Sequence, residues 1–246
     1  MPENDPHTHR WLVLRLEAPL LAFGGVAIDH VGVTRDFPAL SMLTGLLANA
    51  LGYRRTEWEK HQALQDRLVF AARRDREHPA GILTDSQNAQ LGKNDRGWTT
   101  FGIPEGRDGA SYGAPHRRRR DYHMDARVTL VLRLSPAEGD PDLDGLTAAL
   151  SLPVRPLFIG RKPCLPSAPL DGGFVHAATA FEALQRVPGE STGPLRALWP
   201  AGEGPESGES VHRIIDLPDL RNWRTGLHGG TRRVVEGEVL LERAAA

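Results

Sequence analysis

Two stretches of strict alternation constrain this chain more than anything else in it. In residues 11–18, Leu12, Leu14, Leu16 and Ala18 share one side while Arg15 and Glu17 share the other. In residues 126–134, Val128, Leu130, Leu132 and Leu134 repeat the pattern. Side chains on a strand alternate between its faces, so each stretch predicts a half-buried strand. Between them, Leu40, Leu43, Leu46, Leu47, Ala50 and Leu51 recur at helical spacing, and Gly52 supplies the stop. A second helix is expected over 57–65, followed by a strand in which Leu68, Phe70 and Ala72 alternate with Arg67, Val69, Ala71 and Arg73. After the second alternating stretch come a short helix over 143–150 and a short strand over 156–160. The order β-α-β, insertion, β-α-β is that of a ferredoxin-like fold in the α+β class.

The insertion is residues 86–120, a polar, glycine-containing stretch without long periodicity. Beyond Cys164 the pattern is less regular. Residues 177–187 read as helix, 188–210 as a Gly/Pro/Glu-rich loop without fixed structure, and 213–216 and 233–241 as strands of a second, smaller β-rich lobe.

Thirty basic residues against thirty-one acidic ones leave a formal charge of −1, so any polyanion site has to be a local patch. Only Lys60, Lys93 and Lys162 are lysines; the other basic residues are arginines. Cys164 is the single cysteine, which excludes an internal disulfide and a cysteine-rich zinc site. The first ten residues are polar, with Glu3 and Asp5, and do not read as a signal peptide. The longest apolar stretch, 20–28, is broken by Gly24 and Gly25 and is too short to span a bilayer. A cytoplasmic protein without a membrane partner is the expectation.

The insertion concentrates positive charge. Lys93, Arg96, Arg107 and the run Arg117, Arg118, Arg119 and Arg120 stand against Asp95, Glu105 and Asp108, a net of +4. Adjacent guanidinium groups repel one another unless solvent or a polyanion screens them. Trp98, Phe101 and Tyr112 lie on the same stretch, and aromatic planes beside cations suit stacked bases and phosphates. A solvated basic loop is the competing reading. The distant acidic residues Glu203, Glu206 and Glu209 segregate the charge and favour a nucleic-acid contact.

Two glycine turns carry paired cations. In Gly160-Arg161-Lys162 they follow a short apolar run, and such a turn can hold phosphates or simply end a strand. Gly229-Gly230-Thr231-Arg232-Arg233 is a weaker case. No cofactor or metal is expected, because neither a P-loop nor ligand-spaced histidines occur. The tract from Asp140 to Gly145 imitates a calcium loop, but Ser151 stands where a bidentate Glu is required, so it reads as the acidic start of a helix. His116, His123 and His228 are candidate general bases, each without a visible partner.

Four tracts, taken in order, carry a family resemblance. They are Arg15-Leu16-Glu17-Ala18-Pro19-Leu20 with Ala22-Phe23-Gly24; Thr34-Arg35-Asp36-Phe37-Pro38 with Ser41, Gly45-Leu46-Leu47 and Ala50-Leu51-Gly52; Tyr122 with Asp125 and Ala126; and the tract from Leu157 through Gly160-Arg161-Lys162-Pro163-Cys164 to Pro169-Leu170. Together they resemble the CasD subunit family of the type I-E CRISPR Cascade complex. Phe23 stands where members usually have tryptophan, and Ser86-Gln87-Asn88 replaces a Tyr-His-Thr motif common near the thumb.

The resemblance implies a ferredoxin-like (RAMP) domain over 1–165, with an inserted β-hairpin thumb at about 86–120, and a smaller β-rich C-terminal lobe over 166–246. It also implies a non-catalytic, antiviral-defence role: binding the 5′ handle of the CRISPR RNA, with the CasC backbone subunit against the thumb and the large CasA subunit nearby. On this reading the RNA-binding residues are Arg35, Arg107, Arg117, Arg118, Arg119, Arg120, Tyr122, Arg161 and Lys162. The alternative is a metal-independent endoribonuclease of CRISPR repeat RNA. Related RAMP subunits of another CRISPR subtype cleave with tyrosine, lysine and histidine, and Tyr122, His123 and Lys162 supply those types.

Overall fold

The computed structural model describes residues 8–79, 81–89, 97–98, 104–105 and 116–242. The chain opens with β1 (His9–Leu21), two short strands β2 (Ala27–Ile28) and β3 (Val31–Gly32), α1 (Leu40–Ala50), α2 (Trp58–Arg67) and β4 (Leu68–Arg76). Next come β5 (Ile82–Ala89), β6 (Gly97–Trp98), β7 (Pro104–Glu105) and the long β8 (His116–Leu134). It ends with α3 (Leu143–Ser151), β9 (Asp171–Ala177), α4 (Ala180–Arg186), β10 (Leu195–Pro200), β11 (Val211–Leu217) and β12 (Arg232–Val239).

The two alternating stretches lie side by side. β1 and β8 pair antiparallel from Leu12↔Leu132 to Leu21↔His123. β4 flanks β8 and β9 flanks β1, both antiparallel, which gives the central order β4-β8-β1-β9. The even-numbered apolar residues of β1 and β8 form one core with Leu43 and Leu47 of α1, Leu64 of α2 and Leu146 of α3. The opposite face is not left to solvent as the alternation suggested. Trp11, Val13, Ala71 and Val131 pack there under Ala180, Ala183 and Leu184 of α4. Arg73 reaches through that layer wholly buried, donating to the carbonyls of Leu184, Val187 and Pro188 at the end of α4. A cation there is favoured by the helix dipole.

Three expectations change. Residues 156–160 form no strand; the fourth central position is filled by β9, so the four-strand body runs on to Ala177 rather than ending at 165. The glycine-containing start of β9 carried no strand signature, whereas the apolar run at 157–159 did. Second, the strands assigned to a separate lobe continue the same sheet. β10 pairs with β4 at Ala197↔Arg73 and Leu198↔Ala72, and β12 and β11 follow outward. That pairing satisfies backbone groups that an open β4 edge would leave bare. β10 itself lies in the loop expected to be without structure, where Trp199 is fully buried against Phe181.

Third, the strand expected to begin at Ala126 begins already at His116. β5 and the first half of β8 form an antiparallel hairpin stem from Ile82↔His123 to Ala89↔His116. The four consecutive arginines therefore sit on a strand. The helix expected at 143–150 is α3, and Asp142 caps it by accepting the Gly145 N–H at 2.7 Å.

Candidate nucleic-acid interface

α1 lacks a cap of its own, and this shapes the cleft beside it. Its first N–H groups are met from far along the chain: Leu40 N–H donates to the Asp219 carboxylate (2.9 Å) and Ser41 N–H to the Asp219 carbonyl (3.1 Å). The side chain of Asp219 is buried and also accepts Nε and Nη2 of Arg232. Just beyond, Gln65 on α2 holds the next residues. Its amide Nε2 donates to the Arg221 carbonyl, while its Oε1 accepts the Arg221 N–H and the Trp223 indole N–H. Trp223 stacks on His61 with centroids 4.8 Å apart. Residues 218–228 are thereby fixed as one wall.

The facing wall comes from two turns. At Gly160 (φ +85°) a Cβ would lie 1.7 Å from the Ala22 carbonyl oxygen, so only glycine lets the 158–164 turn press against the end of β1. Ala22 N–H donates to the Ile159 carbonyl there (3.2 Å). At Gly32, a Cβ would meet Arg120 Nη1 at 2.8 Å, so this glycine lets the arginine lie flat over β3. Between the walls is a cleft of about 720 Å³ with Ser41, Met42, Gly45 and Leu46 of α1 lining it. Arg35, Arg120, Arg161 and Arg221 reach it from four separate segments, and Trp223 and His228 also line it. A polyanion meeting those walls finds guanidinium donors, an aromatic plane and glycine-thinned backbone in one place.

The predicted RNA contacts divide into groups. Arg35 lines the cleft and crosses to the far wall, its Nη2 donating to the Pro218 carbonyl at 2.7 Å. Arg120 also lines it, whereas Arg118 donates to the Asp29 carbonyl (3.1 Å). The guanidinium groups of Arg117 and Arg119 are exposed and have no partner among the described residues. Adjacent strand positions face opposite sides, so the run divides into Arg117 with Arg119 and Arg118 with Arg120. Arg107, Phe101 and Tyr112 fall outside the described residues.

Arg161 is largely committed. Its Nη1 donates to the Asp121 carbonyl (2.8 Å), its Nη2 to those of Gly32 (2.9 Å) and Val33 (3.1 Å), and its carbon centre lies 5.0 Å from the Tyr122 ring centroid. It binds two turns and β8 together before it can offer anything to a ligand. Tyr122 itself is buried in the main core and forms the floor under Arg161. Lys162 is exposed on the turn, with no partner among the described residues. Arg232 is likewise structural, paired with Asp219 and lying over the Phe70 ring.

His123 is buried and both ring nitrogens are occupied. Nε2 donates to the Arg35 carbonyl (2.8 Å), which makes Nδ1 the acceptor facing Arg74 Nη2 (3.3 Å). Burial pushes its pKa below the ordinary histidine value, and the nearby Arg74 charge pushes the same way. Tyr122 and His123 are consecutive on β8, so their side chains leave opposite faces of the strand.

Sequence reasoning did not single out Asp219, Arg221 or Trp223. The available signal was a tryptophan flanked by Arg221 and Arg224 in an otherwise irregular stretch.

An antiparallel sheet with helices on both faces, bearing a glycine-thinned basic cleft, defines the class, a mixed α/β protein. Comparison with known proteins takes this further. Residues 11–235 match the family described as CRISPR-associated protein (Cas_Cas5). The chain is 31% identical over 174 residues to the CRISPR system Cascade subunit CasD of Escherichia coli (strain K12), which covers 71% of this chain and 75% of the relative. Its fold is similar to a chain of a CRISPR RNA-guided surveillance complex, with a TM-score of 0.65, 21% identity, and coverage of 94% of this chain and 90% of that one. It is also similar to a structure described as a Cas protein, with a TM-score of 0.58, 24% identity, and coverage of 94% and 95%. The chain belongs to the Cas5 family of CRISPR-associated proteins, the family of CasD.

Proposed function

We propose that this chain is a non-catalytic, RNA-holding subunit of a type I-E CRISPR Cascade complex, gripping the 5′ handle of the CRISPR RNA and capping the backbone filament in antiviral defence. The observation that carries this reading is the convergence of Arg35, Arg120, Arg161 and Arg221 on one glycine-lined cleft. Single-stranded RNA is held by cations along its backbone and by aromatic planes under splayed bases, and this cleft has both.

The central order β4-β8-β1-β9, with α1 to α3 on one face, supports reading the body as a ferredoxin-like RAMP domain. The β5–β8 hairpin is its thumb, and the CasC backbone subunit and CasA are the neighbours we assign. The relatives support RNA and Cascade partners, since one is by name a Cascade subunit and another belongs to an RNA-guided complex. We place the complex in the cytoplasm; no helix among the described residues is long and apolar enough to cross a membrane. Incubating the purified chain with CRISPR repeat RNA, with and without divalent metal, tests the reading. Retention of intact RNA is expected. Cleavage abolished by a Tyr122 or His123 substitution would establish an endoribonuclease instead.

A further inference from the structure

His123 is a buried histidine whose two ring nitrogens both face protein groups, so its role lies in what it holds. Its Nε2–H donates to the Arg35 carbonyl, and its ring lies against Phe23 with centroids 4.9 Å apart. Its Nδ1 faces Arg74, which in turn donates to the carbonyl of Asp36, the next residue along. The Arg35 N–H donates to the Gly24 carbonyl (3.0 Å). Arg35 thus sits on a backbone fixed from both sides, and its guanidinium is aimed across the cleft at Pro218. Aiming matters here, because a long arginine side chain sacrifices rotamer freedom for each contact it makes.

We propose that His123 is a positioning residue for RNA: through the Arg35 carbonyl it fixes the guanidinium that meets a phosphate in the cleft. This rests on the reading of the cleft as an RNA site. The neutral tautomer with the proton on Nε2 is required, because only that form donates to Arg35 while accepting from Arg74. Phenylalanine keeps the ring and its packing on Phe23 but removes the donor. Glutamine places an amide N–H about as far from the backbone as Nε2, and asparagine does not.

The test uses the full chain and a labelled single-stranded RNA carrying the repeat-derived handle, with affinity measured across a salt series. One lost phosphate contact on a single strand reduces the log–log salt slope by about 0.7. Arg35→Gln and His123→Phe are each expected to lose that amount, His123→Gln to keep the wild-type slope, and the Arg35→Gln/His123→Phe pair to lose no more than either alone. Should His123→Phe not fold, His123→Asn replaces it with the same expectation. A slope lowered by Arg35→Gln but not by His123→Phe or His123→Asn overturns the positioning role while the RNA reading stands. An unchanged slope in Arg35→Gln also overturns it. A wild-type chain that binds no RNA removes the RNA reading, and this proposal with it.

Discussion

The buried carboxylate of Asp219 accepts the Leu40 N–H at the start of α1 across a separation of 179 residues, and Arg232 neutralises it there. One wall of the cleft therefore hangs on the same group that caps the helix lining it. Removing one member of a buried ion pair leaves the other charge uncompensated, at a cost of about 3–5 kcal/mol. Asp219→Ala is expected to lose that much stability in urea unfolding. The Asp219→Ala/Arg232→Leu pair should lose less than the two single changes added together. Additive losses would show that the two side chains do not act as a unit.

Gly160 and Gly173 share a left-handed backbone, at φ +85° and +82°, but not their surroundings. A Cβ at Gly173 meets nothing within 4 Å, whereas at Gly160 it would lie 1.7 Å from a backbone oxygen. Gly173→Ala should cost only the conformational strain, about 1–3 kcal/mol. Gly160→Ala should lower the melting temperature much further. Equal shifts would mean that the 158–164 turn is free to move away from β1.

Arg161 and Lys162 are neighbours with different duties. Arg161→Ala strands the carbonyls of Asp121, Gly32 and Val33, so it should lower the melting temperature as well as weaken RNA binding. Lys162→Ala should leave the melting temperature unchanged and reduce the salt slope of RNA binding by about 0.7. Thermal unfolding and salt-series binding on both variants check this division. A Lys162→Ala chain with an unaltered salt slope would leave that residue without a phosphate.

The His123 environment also predicts a pH dependence. Its folded pKa lies below the ordinary value of 6.5, so as pH falls the unfolded chain takes up the proton first. The corresponding stability is fully present above pH 6.5 and is lost as pH falls from there through the folded pKa. The hydrogen bond to the Arg35 carbonyl, with Asp36 and Glu77 nearby, opposes this by favouring the charged ring, but burial dominates. Wild type should lose more stability between pH 7.5 and about 5 than His123→Phe does, measured by denaturant unfolding at each pH. Parallel losses would indicate a histidine that charges without hindrance.

How much of this was legible in the sequence depended on the range of the forces involved. Leu12, Leu14 and Leu16 announced β1 because their alternation is local, and Leu40, Leu43 and Leu47 announced α1 for the same reason. The strand from Arg117 to Arg120 was hidden, since four identical side chains carry no period; backbone pairing with Ser86 and Gln87 on β5 holds it extended. The apolar tract at 157–159 looked like a strand but is a turn held on Ala22. Arg161 and Lys162 were found from the turn they follow, yet their unequal duties depend on carbonyls more than thirty residues away. The wall at 218–228 was not readable, because the groups that order it, Gln65 and the α1 amides, lie more than 150 residues upstream.

On the proposed function, RNA lies in the cleft rather than against basic surface in general. The most direct measurement compares two charge reversals in the purified chain binding a handle RNA at fixed salt. Arg120→Glu/Arg221→Glu reverses two cleft arginines, while Arg213→Glu/Arg186→Glu makes the same change in net charge at exposed positions that do not line it. The cleft pair should abolish retention of the RNA, and the outlying pair should leave it close to wild type. Equal loss from both pairs, or retention by the cleft pair, would contradict the account.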